Sequence, residues 1–470
     1  MSIILPLVIL VPFLFAGLSL FINRRNLGTL SIISSSLTFL LVMAIIYQAF
    51  ISGIGSVSSN SDYIPSLGIG LHFQVTDLTL ILILMTSIVF LSASIVGTYF
   101  IEKGERIYGF IFLMAEGASI GLFLSANLFL FYVFFEIAEI MMFFIIFVYG
   151  GYDRRYASIK FIVYSLVASL LLLVGIMVIY ANVTPHTFDI NQIAAEAGSM
   201  PIGAERLAII LLLIAFMIKT PVFPFHSWLP DAHTEAPTTG SMILAGVLLK
   251  FGGYGLLLIF LMLPIAAHYG LYLASLFGFS AIYAAFVAMR QGNIKRMIAY
   301  TSITDMGIVS LGVAAGNVLG TSGAVYAMLS HGLAVSLLFL VAGTLDEIYG
   351  TLEISRIKGV MKLYPSLSYL FIIGVFAVVG LPLTSGFIGD LLIFFGSFSR
   401  FGVGGLLPIT SLVLMGGFLF WMIEKMFWGP KHSDAYRALE KKVIYGGLIL
   451  LAATFILGIL PSIMLAISNF

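Results

Sequence analysis

The sequence predicts an all-α polytopic membrane protein with fourteen transmembrane helices, in which two inverted five-helix repeats each contain one broken helix. Three observations lead to this prediction. Of the 470 residues, 61% are hydrophobic and only 9% are charged, whereas soluble proteins carry about 25% charged residues. Basic residues fall almost entirely in alternate loops between the apolar stretches. Two of those stretches, five spans apart, are interrupted by proline.

The predicted spans follow from length, because a transmembrane helix needs about 20 apolar residues. The first span precedes its positive charges, which indicates a spanning helix rather than a signal peptide. The fourteen spans are residues 3–22, 28–51, 77–101, 107–125, 127–149, 157–182, 206–229, 240–264, 269–290, 296–315, 321–345, 366–397, 405–428 and 443–467. They divide the chain into a three-helix segment (1–106), a first repeat (107–265), a second, inverted repeat (266–430) and a C-terminal helix (431–470).

The loop charges predict the orientation of the chain in the membrane. The loops after odd-numbered spans, with their flanks, hold eighteen of the 22 Lys and Arg residues. The opposite loops hold only Arg206 and Arg400. Because cytoplasmic loops are enriched in Lys and Arg, both termini are predicted to lie on the outer side. The long outer loops, 52–76 and 183–205, are predicted to hold short helices or hairpins.

Prolines interrupt spans seven and twelve. Pro221 and Pro224 break the first, and Pro382, within G-L-P-L-T-S-G, breaks the second. Proline lacks an N–H and clashes with the preceding helical turn. In a membrane, the freed carbonyls are tolerated only where protein or trapped water satisfies them. Breaks five spans apart predict repeats of opposite topology over spans four to eight and nine to thirteen, a pattern typical of transporter sites.

Seven ionisable residues are predicted to lie deep in the membrane at a similar level. At about 1.5 Å per helical residue, six of them fall about 14 to 15 Å inside a hydrocarbon core of about 30 Å. Lys219 falls at about 20 Å by the same arithmetic. Ionisable residues at this depth indicate function, and their common level predicts lateral proton transfer rather than a straight pore. They are Glu116, Glu136, Lys219, Lys250, Asp305, His331 and Asp390.

Several of these residues, and Glu139 beside them, also have a simpler interpretation. Glu136 and Lys219 could form a static buried ion pair. Glu139, one turn from Glu136 on the same helix side, either shares its proton site or bonds to a neighbouring helix. His331 could be a satisfied core histidine, and Asp305 a structural hydrogen-bonding group.

The loop after the first break carries a second polar group. It contains His226, Asp231, His233 and Glu235. We expect these residues to cap the loop or to serve cytoplasmic proton uptake, and we predict no metal site. The chain has no cysteine, which excludes Cys-ligated iron–sulfur clusters within it. It has no basic stripe outside the short loops, so nucleic acid is not an expected partner.

Several motifs together carry a family resemblance. The longest is K-T-P-V-F-P-F-H-S-W-L-P-D-A-H-T-E-A-P-T-T-G-S, starting at Lys219. The others are F-F-E-I around Glu136, N-I-K-R-M-I-A-Y-T-S-I from Asn293, M-L-S-H-G-L from Met328 and G-F-I-G-D from Gly386. The chain resembles the antiporter-like membrane subunits of respiratory complex I over its whole length. It is most similar to the M-type subunit, and the A-H-x-x-A-P-x-x-G-S form of the loop indicates that branch.

The resemblance implies roles for particular residues. It implies that Glu136 pairs with Lys219, and that the row continues through Lys250 and His331. The M-type glutamate of span twelve falls on Asp390, which is one methylene shorter. The row that the resemblance implies is Glu136, Lys219, Lys250, His331 and Asp390. Further relay candidates are Glu116, Glu139 and Asp305, the last of which stands where bacterial relatives often have histidine.

The resemblance also implies a setting for the chain. It implies a proton-translocating subunit without a redox centre, in a complex that oxidises NADH, reduced ferredoxin or F420H2 and reduces a quinone. Expected partners are other antiporter-like and small membrane subunits, a peripheral redox arm and the lipid bilayer. The partner chains are expected to carry iron–sulfur clusters and a quinone site, with flavin as a further candidate. A prokaryotic cytoplasmic membrane is favoured over an organellar inner membrane.

Three other functions fit some of these observations. The chain could belong to a multisubunit sodium/proton antiporter, which would need the same buried charges. It could instead belong to the membrane arm of a hydrogenase or sulfane reductase. A purely structural scaffold is disfavoured, because a charged side chain at the membrane centre costs about 2.5 to 3.5 kcal/mol.

Overall fold

The computed structural model describes residues 3–53, 57–64, 68–100, 105–430 and 438–461. The predicted ends of spans three and fourteen, at residues 101 and 462–467, lie outside the described residues, as do Lys103, Lys431 and Arg437. The described chain is almost entirely helical. Its α-helices are α1 Ile4–Ser19, α2 Arg24–Ser52, α3 Asp77–Phe100, α4 Glu105–Leu124, α5 Leu128–Tyr149, α6 Arg154–Asn182, α7 Ile190–Glu196, α8 Ile202–Lys219, α9 Trp228–Glu235, α10 Thr238–Ile243, α11 Leu249–Met262, α12 Gly270–Ala288, α13 Ile294–Ala315, α14 Val318–Tyr349, α15 Val360–Leu363, α16 Pro365–Val378, α17 Ser385–Phe401, α18 Thr410–Phe427 and α19 Lys441–Ile459.

The predicted multi-pass membrane architecture is confirmed. Among the described residues, eleven helical stretches are long and apolar enough to cross a membrane, and Ile4–Ser19 and Pro365–Val378 are shorter apolar helices. The exact count of fourteen spans stays a prediction, as do the domain boundaries. Both predicted breaks are present, because α8 stops at Lys219 and α16 stops at Val378. The helix α14 runs over 32 residues and extends beyond the predicted span 321–345 at both ends.

The two long loops, 52–76 and 183–205, contain the short elements that their composition suggested. Among the described residues of the first loop, four strands form two antiparallel pairs, and the second loop contains α7. In the first pair, β1 lies against β4. In the second, β2 lies against β3. The strands are β1 Ser58–Ser59, β2 Asp62–Ile64, β3 Ile69–Gly70 and β4 Phe73–Gln74.

Asparagine caps begin three of the helices that carry site residues. The side chain of Asn127 accepts hydrogen bonds from the first turn of α5, and Asn293 does the same for α13. Asn317 caps α14, which ends at Gly350 with a φ of +66°. An asparagine oxygen satisfies backbone N–H groups that have no helical partner, and glycine adopts the left-handed conformation that closes a helix.

The two halves of the chain share a matched backbone bridge. At the start of α5, the N–H of Leu128 donates to the carbonyl of Phe188 at 2.8 Å, and the N–H of Ile190 donates to Ala126 at 2.9 Å. These two bonds connect the start of α5, the second helix of the first repeat, to the loop that follows α6.

The same bridge recurs at the start of α13. There Ile294 donates to Leu352 and Ile354 donates to Gly292, both at 2.9 Å. The helices around the bridges pack in the same order, with α4 on α5 and α5 on α6, then α12 on α13 and α13 on α14. The recurrence of both features supports the five-helix repeat.

The direction of the two repeats follows from one shared loop. At the end of α5, the N–H of Gly151 donates to the carbonyl of Glu235 at 2.8 Å. At the start of α13, Nζ of Lys295 donates to the next carbonyl, that of Ala236, at 3.2 Å. Because α5 ends where α13 begins, the equivalent helices run in opposite directions, as an inverted repeat requires.

Candidate functional site: two buried polar clusters at the broken helices

The first break is satisfied by protein groups. Pro221 cannot donate to the carbonyl of Met217, and the N–H of Val222 donates there instead at 3.0 Å. The neighbouring carbonyl of Ile218 accepts a hydrogen bond from the indole Nε1 of Trp228 at 2.9 Å. Substitute donors of this kind allow non-helical backbone at membrane depth. The broken end is therefore a defined structure, and it presents Lys219 at its tip.

A glycine on α11 allows the break to sit against that helix. A Cβ atom at Gly252 would lie 2.8 Å from the carbonyl carbon of Lys219 and would also press on Thr220. Any larger residue would force the two backbones apart. Gly252 thus sets how closely the break approaches the helix that carries Lys250.

Lys219 is held by a carboxylate and a hydroxyl. It is 2% exposed, and its Nζ forms an ion pair with Oε2 of Glu139. The same Nζ donates to Oγ of Ser165 at 2.7 Å, and Oγ of Ser165 donates to Oε2 of Glu139 at 2.7 Å. The three groups form a closed triangle between α5, α6 and α8. A charged pair buried in this way is stable only when further hydrogen bonds support it.

Aromatic rings line the rest of the Lys219 site. Nζ lies 5.3 Å from the ring centroids of Phe135 and Phe161, and 5.8 Å from that of Trp228. Ring faces attract a cation at this distance. They also exclude water, so the ammonium depends on Glu139 and Ser165 for its hydrogen bonds.

The expected partner of Lys219 is different in the structure. The resemblance implied that Glu136 pairs with Lys219, but the ion pair is made by Glu139, one turn later. Glu136 is only partly buried and accepts a hydrogen bond from Ser169. In this conformation Lys219 forms its direct ion pair with Glu139, while Glu136 also interacts electrostatically with Lys219. The implied pairing of Glu136 with Lys219 stays a prediction. Glu139 bonds to the neighbouring helices α6 and α8, and a proton site shared with Glu136 stays a prediction as well.

The second cluster begins at Lys250. Its Nζ donates to the carbonyl of Ala245 at 2.5 Å and lies 2.7 Å from Nδ1 of His331. The residues before it, Leu244–Leu248, form a π-helical turn, a distortion frequent at functional sites. An ammonium can only donate, so a protonated Lys250 requires Nδ1 to accept and places the imidazole proton on Nε2. That Nε2 is buried and has no hydrogen-bond partner among the described residues.

A small cavity joins His331 to the second break. It has a volume of about 20 Å³, which is room for about one water molecule. Asp305 also interacts electrostatically with both Lys250 and Asp390. The cavity thus brings acid, hydroxyl and imidazole groups together around a space the size of one water molecule. The polar residues that line it are Asp305, Ser330, His331 and Asp390.

The second break places Asp390 against bare backbone. A Cβ atom at Gly380 would lie 2.5 Å from Oδ2 of Asp390, and Gly380 has a φ of +73°. Both the approach and the conformation require glycine. At this break the N–H of Leu381 donates to Phe376, five residues back, at 3.0 Å. The first break uses the same five-residue bond, from Val222 to Met217.

The loop after the first break separates into two kinds of residue. Asp231 is clamped by Lys160 at 2.7 Å and Arg296 at 2.9 Å. Oε2 of Glu235 accepts the N–H of Asp153 at 2.9 Å, and burial raises the pKa of Glu235. These contacts hold the loop, which supports the capping interpretation. No group of three His, Asp or Glu side chains in the described part of the chain could hold a metal ion.

The two loop histidines are buried in aromatic surroundings. His233 is 0% exposed, stacks on Phe339 with centroids 4.4 Å apart, and has both ring nitrogens unpartnered among the described residues. His226 packs against Phe223 and Tyr283, and its Nδ1 is unpartnered in the same sense. Their predicted part in proton uptake stays a prediction.

Glu116 lies apart from both clusters. Its Oε2 accepts a hydrogen bond from Ser35 of α2 at 2.9 Å, and its Oε1 has no partner among the described residues. Ser165, Ser169 and Ser330 also contribute to the clusters and were not predicted from the sequence. The spacing of Ser165 and Ser169, one turn apart on α6, is a signal that could have identified a polar stripe facing α5.

Fold and site together define a polytopic membrane protein with inverted repeats, broken helices and buried acid and base side chains. The sequence profile of the family described as NADH:quinone oxidoreductase/Mrp antiporter, TM, matches residues 125–415. That match covers more than half of the chain, so the chain belongs to this family.

Individual relatives match nearly the full chain. NADH-quinone oxidoreductase subunit M of Rickettsia prowazekii is 37% identical over 447 residues, which cover 92% of this chain and 89% of the relative. F(420)H(2) dehydrogenase subunit M of Methanosarcina mazei is 35% identical over 90% of this chain and 87% of its own length. A chain of respiratory complex I from Thermus thermophilus superposes with a TM-score of 0.90 at 28% identity, covering 99% of both chains.

Proposed function

We propose that this chain is a proton-translocating subunit of a complex-I-type oxidoreductase. The names of the relatives above support a complex that oxidises NADH or F420H2. We place electron transfer, with its iron–sulfur clusters, flavin and quinone site, in partner chains. Those partners are the peripheral redox arm and other antiporter-like and small membrane subunits. The chain itself supplies the proton path.

One observation carries the proposal. Each break of the inverted repeat has an ionisable side chain at it or packed against it, and that side chain is bonded, or joined by a cavity, to a second one on another helix. At the first break these are Lys219 and Glu139. At the second, Asp390 shares a cavity with His331, which contacts Lys250. Acid and base groups within hydrogen-bond reach are what proton transfer requires.

The proton path that we propose runs laterally through the row. It uses Lys219 with its carboxylate partner, then Lys250 and His331, and ends at Asp390 through one water molecule, for which the cavity has room. Asp305, which lines the cavity, interacts electrostatically with Lys250 and so affects how readily the lysine gives up its proton. Glu116 and the loop residues His226 and His233 are candidate connections from this row to the water on the two sides.

The test compares coupling with electron transfer in the intact complex. The complex carrying Lys219→Met is purified, reconstituted into sealed vesicles and assayed for acceptor reduction and for acidification with a pH-sensitive dye. We expect the complex to assemble and to lose most of its protons moved per electron. A full proton-to-electron ratio in this variant would contradict the proposal.

A second candidate function is sodium/proton exchange, which the family's description also includes. The two functions differ in ion dependence. If sodium is the transported ion, coupled turnover in vesicles will require Na⁺ and will be accompanied by ²²Na⁺ movement. If protons are transported, the proton-to-electron ratio will be the same in sodium-free buffer.

We further propose that the chain lies in a prokaryotic cytoplasmic membrane with both termini outside. The distribution of Lys and Arg supports this orientation. A single cysteine introduced near residue 198, in the outer loop, should react with an impermeant maleimide in whole cells. A cysteine at residue 292 should react only after the membrane is opened.

A further inference from the structure

Two glutamates on α5 compete for the role of partner to Lys219. They lie one turn apart, at positions 136 and 139, and face α6. The contacts separate them clearly. Glu139 is 3% exposed and touches Lys219 directly, whereas Glu136 is partly exposed and is bonded to Ser169.

We infer that Glu139 is the charge partner of Lys219 and the group with which it exchanges its proton, and that Ser165 positions the pair. This inference rests on the proposed function and names the acid that serves it. Glu136 is then a second acid, one turn away, whose contact with α6 is made through Ser169 instead.

The hydrogen bonds form two parallel rungs between α5 and α6. In the inner rung, Oγ of Ser165 accepts from Lys219 and donates to Glu139, both at 2.7 Å. In the outer rung, Oγ of Ser169 donates to Glu136. Ser165 and Ser169 are one helical turn apart, as are Glu136 and Glu139, so each serine meets one acid. Only the inner rung includes a base.

The proton step in the inner rung is balanced within the pair. The Nζ–H bond of Lys219 breaks, and an O–H bond forms at Oε2 of Glu139. The products are a neutral amine and a neutral carboxylic acid, so the pair carries the same net charge before and after. Because neutralising both groups removes two buried charges, the transfer avoids the desolvation penalty of an isolated ion in this site. Glu136 has no such contact with Lys219.

The surroundings explain why Glu139 must be the charged partner. Three aromatic rings lie within 6 Å of Nζ, and Lys219 is almost completely buried. An ammonium without a carboxylate there would be an uncompensated buried charge, which is strongly destabilising. Removing Glu139 should therefore have a consequence that removing Glu136 does not.

The first experiment is a double-mutant cycle on the melting temperature of the purified complex. Glu139→Gln and Lys219→Met each leave one buried charge alone, so each should lower the melting temperature. The variant with both changes should recover most of the loss, because neither charge remains. Glu136→Gln combined with Lys219→Met is the matched control. Because Glu136 interacts with Lys219 only through space, this pair should recover much less of the loss than the Glu139 pair. Additive shifts for Glu139 with recovery for Glu136 would overturn the inference.

The second experiment measures proton-to-electron ratios in sealed vesicles. Glu139→Gln should lose coupling to the same extent as Lys219→Met, and Glu139→Asp should restore part of it. Ser165→Ala should reduce coupling more than Ser169→Ala, although the two serines differ only by one turn of α6. Full coupling in Glu139→Gln, with loss in Glu136→Gln, would also overturn the inference.

The outcomes separate the inference from the proposed function. If Lys219→Met loses coupling and Glu139→Gln does not, the inference fails and the proposed function stands. If no change at Lys219, Glu139 or Glu136 alters coupling, the proposed function fails. Should Glu139→Gln not assemble, assembly of the double variant with Lys219→Met would still identify Glu139 as the partner. Rescue of a non-assembling Glu136→Gln by Lys219→Met would refute it.

Discussion

Nζ of Lys250 lies 2.7 Å from Nδ1 of His331 and 2.5 Å from the carbonyl of Ala245. The lysine is therefore held between a fixed acceptor and a group that can both accept and donate a proton. The π-helical turn Leu244–Leu248 places the Ala245 carbonyl within its reach. This contact joins α11 in the first repeat to α14 in the second.

Removing either member of that contact should uncouple the complex. We expect Lys250→Met or His331→Ala to reduce coupled proton movement on the order of 100-fold, the usual effect of losing a positioned proton-transfer group. Vesicle acidification per electron transferred measures the effect. The exposed His268, whose Nδ1 lies 3.3 Å from the Ile265 carbonyl, provides the control, because His268→Ala should retain coupling. Equal ratios in all three variants would contradict this role.

Two substitutions at Asp390 should separate the effect of its ionisable group from the effect of its side-chain length. Asp390→Asn keeps the shape but cannot take up a proton, so we expect it to assemble and to lose coupling. Asp390→Glu adds one methylene toward a cavity of about 20 Å³ and should retain most of the coupling. The proton-to-electron ratio in vesicles measures both. A severe loss in Asp390→Glu would mean that Gly380, which abuts the carboxylate, leaves no room for the longer acid.

Gly380→Ala should destabilise the second break. The left-handed conformation at Gly380 costs a non-glycine residue about 1 to 2 kcal/mol, and the added methyl would press on Asp390. The melting temperature of the purified complex should fall. Gly417→Ala is the matched control, since a Cβ at Gly417 in α18 meets nothing within 4 Å. An equal melting temperature for the two variants would contradict the requirement for glycine at position 380.

Gly252→Ala should disturb the first break in the same way. A Cβ there would lie 2.8 Å from the carbonyl carbon of Lys219, and overpacking of this kind typically costs about 1 to 3 kcal/mol. Lower thermal stability and reduced coupling are both expected, because the end of α8, which carries Lys219, must move away from α11. Gly17→Ala, at a position with nothing within 4 Å, should behave like the native chain.

Asp231→Asn should affect assembly more than coupling. Asp231 joins Lys160 of α6 to Arg296 of α13, and hydrogen bonds to charged groups contribute about 1.5 to 3 kcal/mol each. The yield of assembled complex should fall, while the complex that forms should keep its proton-to-electron ratio. Normal yield with a reduced ratio would instead support a role in cytoplasmic proton uptake.

Much of the architecture could be read from local properties of the sequence. Pro221 and Pro382 lie just after the ends of α8 and α16, because the missing N–H and the steric clash of proline act locally. Proline alone is not sufficient, since Pro12 lies within α1. The predicted depth of Lys219, Lys250 and Asp390 comes from counting residues along helices of known rise, and their burial inside the bundle agrees with a position away from the surface for Lys219 and Lys250. Asn127 and Asn293 begin equivalent helices because an asparagine side chain satisfies free N–H groups locally.

The partner choices could not be read in this way. Glu136 and Glu139 are one turn apart on α5 and are equally available to Lys219 by spacing alone. Which of them meets the lysine depends on the rotation of α5 against α6 and on where α8 stops. The resemblance favoured Glu136, and the packed structure favours Glu139. Ser165 and Ser330 were missed because serines are common in membrane helices and only their neighbours give them a role.

The sequence by itself determined the membrane location, the two breaks and the set of buried ionisable residues, because each follows from hydrophobicity, backbone chemistry or helical rise. Only the tertiary structure decided which of these residues touch. Hydrogen bonds act over about 3 Å, and contacts such as those of Lys219 with Glu139 or Lys250 with His331 depend on how separate helices are rotated and packed. That rotation is a property of the whole bundle.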